Sequence, residues 1–264
     1  MLIKDLAELS GSTAIVTGGS GYLGSQISSA LLELGATVIA VSRGKSQTYA
    51  QELDDDENFI SLQHDLSSKQ GVDGLLEATS SYQVGILVNN FYTFPKTFNL
   101  LDQDWLDYEQ TLNSGIISPL YLSKEILKRM IDSQRGGSIV NIASMYGKVG
   151  PDFSIYGDTD MKQKIGVGIE YCAAKAALIQ ATKYIASFAG KYGIRCNSIS
   201  PGPFSKPGTF ENREFFEKNL TNKTMLKRIG CKDELKGAIA LLATDLGAYV
   251  TGADIPVDGG WTAW

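Results

Sequence analysis

The stretch STAIVTGGSGYLGSQISSALLELG, residues 12–35, decides the fold. Its first six residues are rich in β-branched side chains, and residues 22–34 have the apolar spacing of a helix that ends before Gly35. Glycines between them allow positive φ angles and a close approach of the backbone to a pyrophosphate at the helix N-terminus. Because the turn follows a first strand, we expect a dinucleotide site and not only a structural turn. The expected phosphate-binding residues are Gly18, Ser20, Gly21, Tyr22, Leu23 and Gly24.

Composition limits the classes of partner. The chain has 264 residues, 43% of them hydrophobic, which is enough for one large α/β domain. A formal net charge of -5 argues against a nucleic-acid partner, so we expect a small-molecule substrate. The first residues lack the features of a signal peptide and no run has membrane-spanning length, so a cytoplasmic protein without a membrane partner is expected. Three cysteines without metal-ligand spacing and a single histidine, His64, predict no disulfide and no metal.

Strands and helices alternate along the rest of the chain, with short links between them. This alternation predicts an α/β fold, a single Rossmann-type domain over residues 1–264 with a doubly wound parallel sheet and helices on both faces. Two helices, 102–113 and 114–133, are expected to meet at Asn113, where the side chain would cap or kink the junction. The later strands are predicted at residues 36–42, 59–66, 84–90, 137–144, 194–199 and 254–257.

The end of the second strand is where such folds discriminate between the two nicotinamide dinucleotides. An acidic residue there binds a free ribose 2′-hydroxyl, whereas a cation pairs with a 2′-phosphate. This chain offers Ser42, Arg43 and Lys45, so NADP(H) is favoured. The alternative is that Arg43 stacks on adenine or faces solvent, which leaves NAD(H) open. At the end of the third strand, Asp65 is placed to bind the adenine amino group.

Residues 170–193, EYCAAKAALIQATKYIASFAGKYG, read as one long helix. Tyr171 and Lys175 are four residues apart, so their side chains lie on one face. A nearby cation favours phenolate and lowers the pKa of a phenol, which would make Tyr171 a proton carrier. The same spacing also arises by chance on many helices. The helix is apolar or small around most of its circumference, which predicts a homodimer or homotetramer.

Ser144 is placed at the carboxyl end of the fifth strand, where open α/β sheets bind their ligands. It lacks the glycine elbow and the base of a nucleophilic serine. Residues of about 145–169 are expected to form an active-site loop insertion, and residues of about 203–228 a substrate lid. His64 is expected to be structural, because no carboxylate or nucleophile pattern surrounds it.

Assembled in order, these residues resemble the short-chain dehydrogenase/reductase family from about residue 11 to residue 260. The resemblance rests on the TGGSGYLG turn, Asp65, the VNN strand end, Asn113, Ser144, the YCAAK helix, the PGP turn and the VDGG tail. It implies an oxidoreductase that transfers a hydride between a nicotinamide and a secondary alcohol or ketone. The cofactor-binding positions that it adds are Leu66, Asn89, Asn90, Pro201 and Gly202, beside Tyr171 and Lys175.

The resemblance also implies catalytic roles. Tyr171 would pass a proton to or from the substrate oxygen, and Lys175 would lower the pKa of that tyrosine and hold the nicotinamide ribose. Ser144 would hydrogen-bond the substrate oxygen, and Asn113 would anchor a water relay to Lys175. Such groups stabilise charge on oxygen in the transition state.

Three departures from the family pattern affect this interpretation. Tyr22 replaces a glycine of the usual turn, which gives a spacing closer to that of sugar-nucleotide epimerases and dehydratases. The fourth strand ends in Asn-Asn-Phe-Tyr, so Phe91 and Tyr92 occupy positions that are normally small. Tyr156 lies at nearly the usual distance from the serine and competes with Tyr171. The residue four beyond Tyr156 is Asp160, which would oppose phenolate formation.

The insertion and the SMYG, PDF and DGGWTAW segments are similar to those of a bacterial subgroup associated with flagellin modification and surface sugars. This narrower resemblance implies a sugar or sugar nucleotide as the substrate. Two alternatives stay open at this point. One is an epimerase or dehydratase that uses NAD(P) catalytically, and the other is a nucleotide-sensing protein without turnover.

Overall fold

The computed structural model describes residues 1–44, 49–156 and 166–264. Lys45 and Asp160, both considered above, lie outside the described residues. The helices are α1 (Ile3–Ala7), α2 (Tyr22–Glu33), α3 (Lys69–Ala78), α4 (Trp105–Leu112), α5 (Ser118–Ser133), α6 (Ile169–Ala189), α7 (Glu214–Lys223) and α8 (Lys236–Ala243). The strands are β1 (Thr13–Thr17), β2 (Thr37–Ser42), β3 (Phe59–Gln63), β4 (Val84–Asn89), β5 (Gly137–Ile142), β6 (Ile194–Pro201) and β7 (Asp254–Val257).

The seven described strands form one parallel sheet in the order β3-β2-β1-β4-β5-β6-β7. The strand order changes direction between β1 and β4, and ligands of open α/β sheets bind outside the carboxyl ends at such a point. Buried apolar clusters cover both faces of the sheet, as a doubly wound fold requires. The predicted α/β Rossmann-type architecture is confirmed.

The glycine turn between β1 and α2 is sterically determined. Gly18 has a φ of +66°, and a Cβ atom built on Gly24 would lie closer to the Gly18 carbonyl oxygen than any contact allows. Asn90, which follows β4, donates from Nδ2 to the carbonyl oxygen of Thr17 at 3.0 Å. The turn is therefore tied to the carboxyl end of the neighbouring strand.

The end of β3 and the junction of α4 with α5 differ from the sequence prediction. Strand β3 ends at Gln63, before the predicted Asp65 and Leu66, because Asp65 Oδ1 accepts from the Ser67 backbone N–H at 3.0 Å in a turn ahead of α3. At the predicted junction of two helices, a π turn at Asn113–Ile117 joins α4 to α5 without a break. None of the helices in the described ranges is long and apolar enough to cross a membrane.

Candidate active site

A cavity of about 600 Å³ opens at the carboxyl edge of the sheet, beside the point where the strand order reverses. Its wall brings together the glycine turn, the ends of β2, β4 and β5, the start of α6 and the turn after β6. The sequence-predicted residues in this wall are Gly18, Ser20, Gly21, Tyr22, Leu23, Gly24, Ser42, Arg43, Asn90, Ser144, Tyr171, Lys175, Pro201 and Gly202.

The glycine turn has the properties of an anion site. Ser20 is only 1% exposed, and its Oγ has no hydrogen-bond partner among the described residues. A buried hydroxyl without a partner is costly, so this atom is suited to a polar ligand. Helix α2 begins at Tyr22, and its N-terminus favours negative charge in the same place. These residues fit the diphosphate of a dinucleotide.

Helix α6 and strand β5 hold Lys175 between them. Lys175 is 4% exposed, and its Nζ donates to the carbonyl oxygen of Ile142 at 2.6 Å, at the end of β5. The same Nζ lies 5.6 Å from the ring centroid of Tyr171. Burial lowers the pKa of Lys175 to about 8, because a low-dielectric environment disfavours the ammonium. The hydrogen bond to the strand fixes the amine beside the cavity.

Burial raises the pKa of Tyr171 above its ordinary value, whereas its interaction with the Ser144 side chain acts in the opposite direction. This direction differs from the sequence expectation that Lys175 would lower the pKa. The phenol is taken out of water on folding, and in the protein alone that effect is the larger one. Tyr171 therefore holds its proton at neutral pH and is suited to donate it.

Ser144 lies two residues beyond the end of β5 and is 5% exposed. Its Oγ accepts a hydrogen bond from the backbone N–H of Tyr146 at 3.1 Å. That bond uses an acceptor site of the hydroxyl and leaves its proton for another oxygen. Ser144 and Tyr171 both line the cavity, so a substrate oxygen between them would meet two donors.

Comparison with known proteins agrees with this geometry. A family model described as enoyl-(acyl carrier protein) reductase matches residues 20–262. The chain belongs to the short-chain dehydrogenase/reductase family. Relatives of the chain are named dehydrogenases and reductases, and the chain is an oxidoreductase that acts on an alcohol or ketone with a nicotinamide cofactor.

Individual short-chain dehydrogenases match the whole chain. The 2-dehydro-3-deoxy-D-gluconate 5-dehydrogenase of Escherichia coli is 28% identical, over 99% of this chain and 100% of that protein. A short-chain dehydrogenase of Leptospira borgpetersenii with bound NAD+ is 27% identical, with a TM-score of 0.82, over 99% of this chain and 96% of that one. The RhlG/NADP complex of Pseudomonas aeruginosa is 28% identical, with a TM-score of 0.83, over 97% of this chain and 98% of that one.

The two tyrosines that compete for the role of proton carrier in this dehydrogenase differ in whether they line the cavity. Tyr156 is 3% exposed, and its ring stacks on Phe216 with centroids 5.2 Å apart. It belongs to an apolar cluster with Tyr146 and Trp261, and it is absent from the cavity wall that the described residues form. Tyr171 lines the cavity. The geometry therefore favours Tyr171.

Four other predicted site residues lie outside the described cavity wall. Asn89 is buried, and its Nδ2 donates to Ser123 Oγ and to Asn141 Oδ1, both at 2.8 Å. Leu66 is in the core, and Asp65 is exposed in the turn ahead of α3. The remaining residue is Asn113, whose carbonyl accepts from the Ser118 backbone N–H in the π turn. Their roles in binding cofactor or water stay predictions.

The cavity wall contains residues that the sequence analysis did not select for this site. Phe94 lines the cavity and is 65% exposed, and its ring lies nearly parallel to that of Tyr171 with centroids 6.5 Å apart. Tyr49 packs edge-on against Tyr22 at 5.6 Å. An aromatic residue just after a strand that ends at the site is the signal that would have found Phe94. The other such residues are Gly44, Ile142 and Ala143.

Proposed function

We propose that this chain transfers a hydride between NADP(H) and a secondary alcohol or ketone of a carbohydrate derivative, with Tyr171 as the general acid and base. The observation that carries the proposal is the position of Tyr171, Ser144 and Lys175 in the wall of one cavity, beside the glycine turn. Proton donor, oxygen-binding hydroxyl and buried cation therefore meet where the fold binds its ligands.

Each residue has a distinct part in the reaction. The turn from Gly18 to Gly24 and the Ser20 hydroxyl would hold the diphosphate, and the nicotinamide supplies or accepts the hydride when it is bound. Ser144 donates a hydrogen bond to the substrate oxygen and holds it beside Tyr171. In ketone reduction Tyr171 gives its proton to that oxygen. The ammonium of Lys175 then stabilises the negative charge left on the phenol.

The cavity wall supports a ring-shaped polar substrate with an anionic group. Phe94 lines the cavity beside Tyr171 and is largely exposed, and such an aromatic ring can pack against the apolar C–H face of a sugar ring. Lys206, an exposed residue in the loop after β6, lines the same cavity and would pair with a carboxylate or phosphate. The E. coli relative is named for a sugar acid, which supports the same substrate class. Residues 203–228 would then act as the lid.

Preference for NADP(H) is proposed from the end of β2. Ser42 and Arg43 line the cavity there, and the Arg43 guanidinium lies 5.8 Å from the ring centroid of Phe91. Residues 42–44 contain no carboxylate to bind a free ribose 2′-hydroxyl. The stacked guanidinium is placed to pair with a 2′-phosphate.

A substrate panel tests the proposal. The purified protein is mixed with NAD(H) or NADP(H) and with sugar acids, sugar nucleotides and a 3-oxoacyl thioester, and the change in nicotinamide absorbance is followed. We expect net oxidation or reduction of NADP(H) with a sugar acid or sugar nucleotide. Product without a net change in nicotinamide would indicate an epimerase or dehydratase, and binding without turnover on any compound would indicate a sensing protein. Turnover of the thioester alone would reject the carbohydrate class.

A further inference from the structure

Tyr92 lies against both proposed catalytic side chains. It follows β4 and lines the cavity, and its ring meets that of Tyr171 edge to face, with centroids 4.9 Å apart and an interplanar angle of 83°. The Nζ of Lys175 is 5.6 Å from the centroid of the Tyr92 ring, the same distance as from the ring of Tyr171. The ammonium therefore has two aromatic rings within cation–π range.

The π turn between α4 and α5 makes room for this ring. A Cβ atom built on Gly115 would lie 3.0 Å from Tyr92 Cε2 and 2.8 Å from the Cβ of Ala174. Gly115 is thus the residue that lets α6 and the Tyr92 ring approach the π turn closely. The contacts with Gly115 and with Tyr171 together fix the orientation of the ring.

The hydroxyl of Tyr92, unlike its ring, makes no contact that would hold Lys175 or Tyr171. Its Oη is buried and has no hydrogen-bond partner among the described residues. The nearby titratable groups are Glu170, Tyr171 and Cys172, and burial first and then Glu170 raise the pKa of Tyr92. The ring is therefore neutral and presents an electron-rich face to a cation.

We infer that Tyr92 is a positioning residue whose ring holds Tyr171 in place and stabilises the ammonium form of Lys175. The inference deepens the proposed function and rests on the roles given there to Tyr171 and Lys175. Burial disfavours the charged amine, and the one hydrogen bond shown for it goes to Ile142. The second aromatic face offsets part of that penalty.

The test is a titration of Lys175 in cofactor-free protein. Lysine labelled with ¹³C at Cε is observed by NMR, and the Lys175 signal is identified by its loss in Lys175→Arg. The Tyr92→Leu variant removes the ring, and Tyr92→Phe is the matched control that removes only the hydroxyl. We expect Tyr92→Leu to move the titration midpoint of the Lys175 amine to lower pH by about half a unit or more, because one aromatic face beside the ammonium is lost. Tyr92→Phe should leave it unchanged.

Thermal unfolding of each variant shows whether it is folded. Tyr92→Met is a second variant without the ring, chosen because the flexible methionine side chain fills irregular space in a core. Glu170, Cys172 and Tyr146 lie near the two tyrosines and are kept in every variant. The inference is overturned if folded Leu and Met variants titrate Lys175 as wild type does, or if Tyr92→Phe shifts it equally. Failure of the proposed function is separate, because it would appear as full turnover in Tyr171→Phe.

Discussion

Replacing Lys175 by methionine should remove an electrostatic cost that the folded state bears at neutral pH, together with a group that the chemistry needs. Lys175 is 4% exposed, and burial lowers its pKa from 10.5 to about 8. At about 1.4 kcal/mol for each tenfold change in proton affinity, the folded state tolerates the ammonium at a cost of roughly 3 kcal/mol. Methionine has a similar length and no charge, so it escapes that cost.

The pH dependence of this advantage follows from linkage. Above about pH 8 the folded chain releases the Lys175 proton, whereas the unfolded chain keeps it to about 10.5, so the unfolded state binds more protons between these values. The free energy of unfolding of the wild type therefore rises with pH in this window. The advantage of Lys175→Met should shrink by roughly 2 kcal/mol between about pH 7 and about pH 9.5. Loss of the hydrogen bond to Ile142 lowers the free energy of unfolding of the variant by about 1 to 3 kcal/mol at every pH, so it does not change the slope.

Urea unfolding of the variant and of the wild type at several pH values measures this difference. Lys183→Met is the matched control, because Lys183 is on the same helix and is exposed. We expect the Lys183→Met curve to run parallel to that of the wild type, and the stability of Lys175→Met relative to the wild type to fall by roughly 2 kcal/mol between about pH 7 and about pH 9.5. Parallel curves for Lys175→Met and the wild type would show that the buried amine carries no such cost.

Two further predictions concern the cofactor and the assembly. Arg43→Ala should weaken NADP(H) binding by about tenfold, because a charged contact to the 2′-phosphate is lost, and should change the affinity for NAD(H) by less than about twofold. A fluorescence titration measures both affinities. Equal losses for the two cofactors would contradict the assignment. Helix α6 exposes Tyr184 and Phe188 by 76% and 50%, so we expect a dimer or tetramer in sedimentation at micromolar concentration. A monomer there would contradict the proposed oligomer.

The sequence was sufficient where the determinants are local. A β-branched run, a turn with four glycines and a periodic helix lie within residues 12–35, and the structure forms β1, the turn and α2 there. The four-residue spacing of Tyr171 and Lys175 depends only on helix geometry, and the structure places both in the cavity wall. Alternation of strands and helices was enough to predict the parallel sheet.

Features that depend on packing between distant segments were not predictable in the same way. The pKa of Tyr171 depends on how much protein covers the phenol, so its direction came only from the structure. Tyr156 has nearly the right spacing from Ser144, but its ring packs on Phe216 and lies outside the described cavity wall. The approach of Tyr92 to Lys175 requires Gly115 in a separate segment of the chain, and nothing in the local pattern indicates that contact.

The most direct test of the central claim is single-turnover hydride transfer by Tyr171→Phe with saturating cofactor, using the substrate found in the panel. We expect a rate at least about 100-fold below wild type, because the proton carrier is lost, with cofactor affinity within about twofold. Tyr156→Phe is the matched control and should retain the wild-type rate. A Tyr171→Phe rate near that of wild type, or loss of transfer in Tyr156→Phe instead, would contradict the assignment of Tyr171.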